Sequence, residues 1–164
     1  MAEAPWLVVA RALIGLREVP GPANNPKIID MAKRLGSKIL GIDYTADSTP
    51  WCGLFAAHCV NAVGLKPPPI AVRAKAWETW GLAVTPCVGA VLVFNREGGG
   101  HVGFYVGEDD DRFYVLGGNQ GDAVKIVPIA KTRKTACRWP GGVAVTGKPN
   151  RITASVAAAS INEA

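Results

Sequence analysis

The sequence predicts an α+β domain, with N-terminal helices packed on a C-terminal antiparallel sheet. Three observations carry this expectation. Apolar residues recur at spacings of three and four up to about residue 80. After Pro86 they shorten into strand-like runs. The acidic stretch Glu108, Asp109, Asp110 and Asp111 lies between two such runs and reads as the turn of a hairpin.

Each element has its own signal. The first helix is expected over 5–19, where Trp6, Val9, Leu13 and Leu16 recur and Pro20, Gly21 and Pro22 end the run. Asn24, Asn25 and Pro26 open a second helix, with Ile28, Ala32 and Leu35 on one side and a stop near Gly36. A polar loop follows over 41–49. The third helix is the most sharply marked: Thr49 suits its cap, Pro50 its first position and Gly64 its end. Cys52, Phe55, Ala56, Cys59, Val60 and Val63 recur along it, which predicts a buried central helix with Cys52 in its opening turn. A fourth helix is expected over 71–80. Strands are expected over 90–94, 101–106, 112–117, 123–129 and 136–139. Residues 143–164 are rich in Ala, Ser, Thr and Val and lack aromatics, so they read as a linker-like extension of a folded unit spanning 1–142.

A chain of 164 residues, 49% hydrophobic and 19% charged, is sized and composed for one globular domain. Its formal charge of +5 favours an anionic partner, such as an acidic membrane face or an anionic bacterial wall. No dense Lys/Arg stripe interleaved with aromatics is present, which argues against nucleic acid. The N-terminus lacks a basic start and residues 7–16 are interrupted by Arg11, so neither a signal peptide nor a membrane span is expected. Four cysteines, Cys52, Cys59, Cys87 and Cys137, match no zinc spacing, and no metal or other cofactor is expected. The last three read as buried, inert thiols.

The chemistry concentrates in three places. Cys52 lies in the first turn of a helix, where unpaired N–H groups and the dipole favour a thiolate and can also hold an oxyanion. Trp51 beside it can wall a cleft. His101 follows Gly98, Gly99 and Gly100 and shares a strand face with Gly103 and Tyr105, away from the apolar face of Val102, Phe104 and Val106. If Gly107 pairs with Phe113, antiparallel register sets Tyr105 opposite Val115, Gly103 opposite Gly117 and His101 opposite Asn119, about 5 Å away. Asn119 would then orient the imidazole, with Gln120 or Asp122 as alternatives. The set Cys52, His101, Asn119 supplies nucleophile, base and orienter. Trp51, Gly100 and Gln120 are the candidate substrate contacts. Asp43 and Asp47 read as shaping the loop before the third helix.

Thr49-Pro50-Trp51-Cys52, Gly100-His101-Val102-Gly103-Phe104-Tyr105-Val106-Gly107 and Leu116-Gly117-Gly118-Asn119-Gln120 resemble the CHAP family of cysteine- and histidine-dependent amidohydrolases and peptidases. The likeness is nearest to a small, phage-associated subgroup and extends over about 7–139, including Glu18-Val19-Pro20-Gly21 and Asn24-Asn25-Pro26. It implies a papain-like fold and hydrolysis of a peptidoglycan amide bond by Cys52, His101 and Asn119, as an N-acetylmuramoyl-L-alanine amidase or an endopeptidase. Two positions depart from the family pattern: Ala90, where an acidic residue is common after Gly89, and Gly117, where many members carry glutamate. The role implied is a monomeric phage lysin or virion-associated lysin made in the cytoplasm and acting on the wall, with a delivered antibacterial toxin or an inactive wall-binding module as alternatives.

Overall fold

A computed structural model describes residues 3–152. Its elements are helices α1 (Pro5–Ala12), α2 (Pro26–Leu35), α3 (Ser37–Leu40) and α4 (Cys52–Asn61), then strands β1 (Leu82–Ala83), β2 (Val91–Arg96), β3 (Gly99–Glu108), β4 (Arg112–Gly117), β5 (Lys125–Ala130) and β6 (Lys134–Trp139). The strands form one antiparallel sheet in the order β1-β6-β2-β3-β4-β5. Helices precede strands, as the sequence predicts. No helix among the described residues is long and apolar enough to cross a membrane.

Helix α4 is buried almost all round, from Cys52 through Val60 with only His58 partly exposed. An all-apolar helix of this kind belongs inside a domain. Its Phe55 meets Phe104 of β3 edge-on, with ring centroids 6.4 Å apart. Trp51, not Thr49, is its N-cap and makes no side-chain capping bond, so Cys52 is the first helical residue. Helix α2 does carry the expected cap: the Asn25 side chain accepts from the Lys27 N–H, and Pro26 opens the helix.

Helix α1 stops at Ala12, seven residues before the expected end at Val19. Gly15 adopts φ +101°, a conformation that breaks a helix and favours glycine. Beyond it the chain runs extended. The Gly15 N–H donates to Val124 O, the Val124 N–H to Leu16 O and the Glu18 N–H to Asp122 O. Ala123 and Val124, expected to open a strand over 123–129, pair with this N-terminal segment, and β5 begins at Lys125. The helix expected over 71–80 is a 3-10 turn over Ala74–Thr79.

Residues 143–152 are bonded back onto the fold at several points. The Asn150 N–H donates to the Tyr105 hydroxyl, its side-chain amide to Val106 O, and the Glu108 N–H to Asn150 O. This part of the region read as linker-like is therefore tied to β3. Residues 153–164 lie outside the described residues.

Candidate active site

Both faces of β3 are buried from His101 to Gly107. The face carrying His101 was expected to point away from the core. It does share that face with Gly103 and Tyr105, but the face is itself packed, with Phe94 and Tyr105 each in contact with the Phe113 ring. His101 pairs in register with Phe94, and the two rings stack at a centroid distance of 6.5 Å. Only 4% of His101 is exposed.

The partner of His101 is Gln120. His101 Nε2 lies 2.8 Å from Gln120 Oε1. The Gln120 amide nitrogen donates to Val115 O (3.1 Å) and Lys125 O (2.5 Å), which fixes the oxygen toward the imidazole. Nε2 therefore carries the proton, and Nδ1 keeps its lone pair. Nδ1 is buried and has no hydrogen-bond partner among the described residues.

Asn119 does not meet His101 in this way. The register Tyr105–Val115 is as derived, and Phe104 pairs with Leu116, but β4 ends at Gly117. The chain then turns, with Asn119 at φ +57°, and the Gln120 N–H closes on Ala123 O at 2.9 Å. The extrapolation to residue 119 fails because the strand has already ended. The hairpin tip differs too. A bulge between Tyr105 and Gly107 makes Gly107 pair with Tyr114 and Glu108 with Phe113.

Of the other predicted contacts, Trp51 is fully buried, so its ring cannot touch substrate. It supports the loop after β4 instead: a Cβ at Gly118 would come within 2.8 Å of Trp51 Cε3 and 2.6 Å of Phe55 Cβ. Gly100 lines a cavity of about 630 Å³ that also holds Cys52 and Pro50. Gln120 lines a neighbouring cavity of about 320 Å³ with His101 and Asn119, but its polar atoms are spent on the bonds above. Asp47 is buried and accepts from the Val19 and Asn25 N–H groups, a loop-shaping role as expected.

Burial pushes the Cys52 thiol above its ordinary value. The backbone N–H groups of Val102 and Gly53 and the charge of Arg96 act against that rise. Burial pushes the His101 imidazole down to about 4, opposed by the bond to Gln120 and reinforced by the charges of Arg96 and Arg133. At neutral pH thiol and imidazole are both uncharged. The Val102 and Arg96 influences place Cys52 at the same end of the sheet as His101, although Nδ1 forms no bond to the sulfur.

Residues 44–119 match the family model of the CHAP domain. Over this segment the chain is similar to CHAP domains. CHAP domains are a family of peptidoglycan-directed cysteine hydrolases, and the helices followed by an antiparallel sheet here are the α+β architecture that the sequence likeness implies. The matched segment contains Cys52 and His101 and ends one residue before Gln120. Among solved structures, the chain is similar to RipD from Mycobacterium tuberculosis, described as a non-catalytic NlpC/p60 domain protein adapted to peptidoglycan binding. The identity is 17%, the TM-score 0.47, and 81% of this chain and 92% of that one are covered. No curated protein matches the sequence.

Proposed function

We propose that this chain hydrolyses an amide bond of bacterial peptidoglycan, with Cys52 as nucleophile, His101 as base and Gln120 as the residue that orients it. The observation that supports this most is the buried His101 ring. Its Nε2–H is held by an oriented amide and its Nδ1 lone pair is left unpartnered. Because both groups rest uncharged, His101 Nδ1 takes the thiol proton as the sulfur attacks the carbonyl. The first N–H groups of α4, which have no partners within the helix, hold the developing oxyanion, each worth roughly 3 kcal/mol. The imidazolium passes its proton to the leaving nitrogen, a thioester remains on Cys52, and water hydrolyses it. The amidase and endopeptidase reactions both proceed this way. The sequence likeness to the phage-associated subgroup favours a lysin role over a delivered toxin.

The test is mass spectrometry of soluble products from purified peptidoglycan treated with wild type and with Cys52→Ala. Fragments from wild type alone support the reading, and their masses identify the bond. Equal fragments from both remove Cys52 from the mechanism. One observation favours a second reading, that of a wall-binding module: the absence of a bond between His101 Nδ1 and Cys52. It predicts pelleting with peptidoglycan and no fragments.

A further inference from the structure

The cavity beside His101 is lined by three cations, Arg96, Lys125 and Arg133, and by no carboxylate. None of the three forms an ion pair with Asp or Glu among the described residues. Their positions are set by the fold. Arg96 lies two residues beyond Phe94, so it stands on the His101 face of β2. The Arg133 Nε–H is tied to Asn95 O at 3.0 Å, leaving the rest of its guanidinium N–H groups for another partner. The Lys125 ammonium lies over Gly121, where an added Cβ would come within 2.6 Å of it. His101, 4% exposed and with Nδ1 unpartnered, forms one wall.

We propose that this basin is a carboxylate subsite for the leaving fragment of the substrate. The assignment rests on the proposed hydrolysis for its direction. His101 delivers the proton to the departing nitrogen, so the fragment that carries that nitrogen lies on the His101 side of the scissile bond, where the basin opens. The acyl part lies toward Cys52 and its larger cavity, lined by Pro50 and Gly98–Gly100. The preferred substrate is therefore a wall peptide whose leaving fragment bears a free carboxylate close to the new amine. Wall peptides in which that carboxylate is amidated are the disfavoured class. Guanidinium groups suit this ligand because their planar N–H pairs match a carboxylate.

The experiment is a nuclear magnetic resonance titration of the full chain carrying Cys52→Ala, which reads binding without turnover. The probes are L-alanyl-γ-D-glutamyl-L-lysine, the same peptide with the glutamyl α-carboxylate amidated, and inorganic phosphate at matched ionic strength. The acid is expected to bind about tenfold more tightly than the amide, the ratio that one charge-assisted contact gives. Raised salt should shrink that ratio. Arg96→Gln and Arg133→Gln should each reduce it about threefold, as for exposed charge pairs, and together abolish it. Both arginines are exposed, and the acid-to-amide ratio on the chain with native arginines needs no variant. Equal binding of acid and amide, no binding of either, phosphate binding as well as the acid, or a ratio untouched in the double variant would overturn the subsite. Selective binding of the acid by a chain whose wild type releases no wall fragments would leave the subsite standing and overturn the hydrolase reading alone.

Discussion

Replacing Gln120 by alanine separates the two candidate orienters. Its side chain makes three hydrogen bonds, two buried and one part-buried, accepting from His101 Nε2–H and donating to Val115 O and Lys125 O. Each orphaned buried group costs about 1–3 kcal/mol. Water can enter from the adjoining cavity of about 320 Å³ and restore part of that. The expected loss of stability is therefore near the low end of the sum, about 3 kcal/mol. The catalytic loss is separate. Without the fixed acceptor, the proton moves freely between Nε2 and Nδ1, and the Nδ1–H form cannot act as a base toward Cys52. A fall in kcat of about 10²-fold is expected, equivalent to ~2.7 kcal/mol of barrier. Asn119→Gly, which suits the φ of +57° at that position, should keep activity within about threefold. Gln120→Glu keeps an acceptor for Nε2–H but cannot donate to the two carbonyls. It should lose stability, retain part of the activity, and raise the pH of the acid limb because a carboxylate favours the imidazolium. Product release from purified wall, measured below the melting temperature of each variant, checks all three. Loss of activity in Asn119→Gly with retention in Gln120→Ala would refute the reasoning.

Three further outcomes follow from the same geometry. Because burial raises the Cys52 thiol, its alkylation by iodoacetamide, read on the Cys52 peptide by mass, should climb steadily toward alkaline pH with no plateau near pH 6; a plateau would reveal a preformed ion pair. His101, lowered to about 4 in the folded chain, binds its proton in the unfolded chain near 6.5, so stability falls as pH drops through that interval. The His101 share of the loss is about 3 kcal/mol, and calorimetry of wild type against His101→Asn between pH 7 and 4 isolates it. Gly118→Ala forces a methyl against the fully buried Phe55 and Trp51; a cost of ~1–3 kcal/mol and a loss of activity beyond that of an equally destabilised surface variant are expected, because the displaced loop carries Gln120.

What the sequence made legible was local. Pro50 and Gly64 bracket α4 because caps and breakers act over a few residues, but the helix starts at Cys52, two residues after the first position read for Pro50. The hairpin around the acidic turn was legible from strand alternation, but Tyr105 meets Val115 only because the bulge after Tyr105 offsets a tip that pairs Gly107 with Tyr114 rather than Phe113. Where the reading failed, the deciding interaction was distant or irregular. Leu13 and Leu16 are three apart, which suits a helix, yet Leu16 lies past Gly15 and bonds to Val124, more than 100 positions away. Register counting reached Asn119 only by assuming that β4 continued past Gly117, and no periodic signal marks where a strand stops at a glycine pair. The buried environment of His101 was missed because alternation identifies the two faces of a strand but not whether both are covered. A residue with two donors and an acceptor beside a turn was the available clue to Gln120.

The extended run over 15–18 has a consequence for anyone moving this site into another protein. It bonds to residues 122–124, immediately after the turn that carries Gln120. A transplant limited to the recognisable segment 44–119 would bring the thiol and the imidazole but leave behind both the amide that sets the imidazole's tautomer and the strand that holds that amide's loop. The smallest portable unit is discontinuous: its two chain ends must be supplied together, one from each flank of the motif.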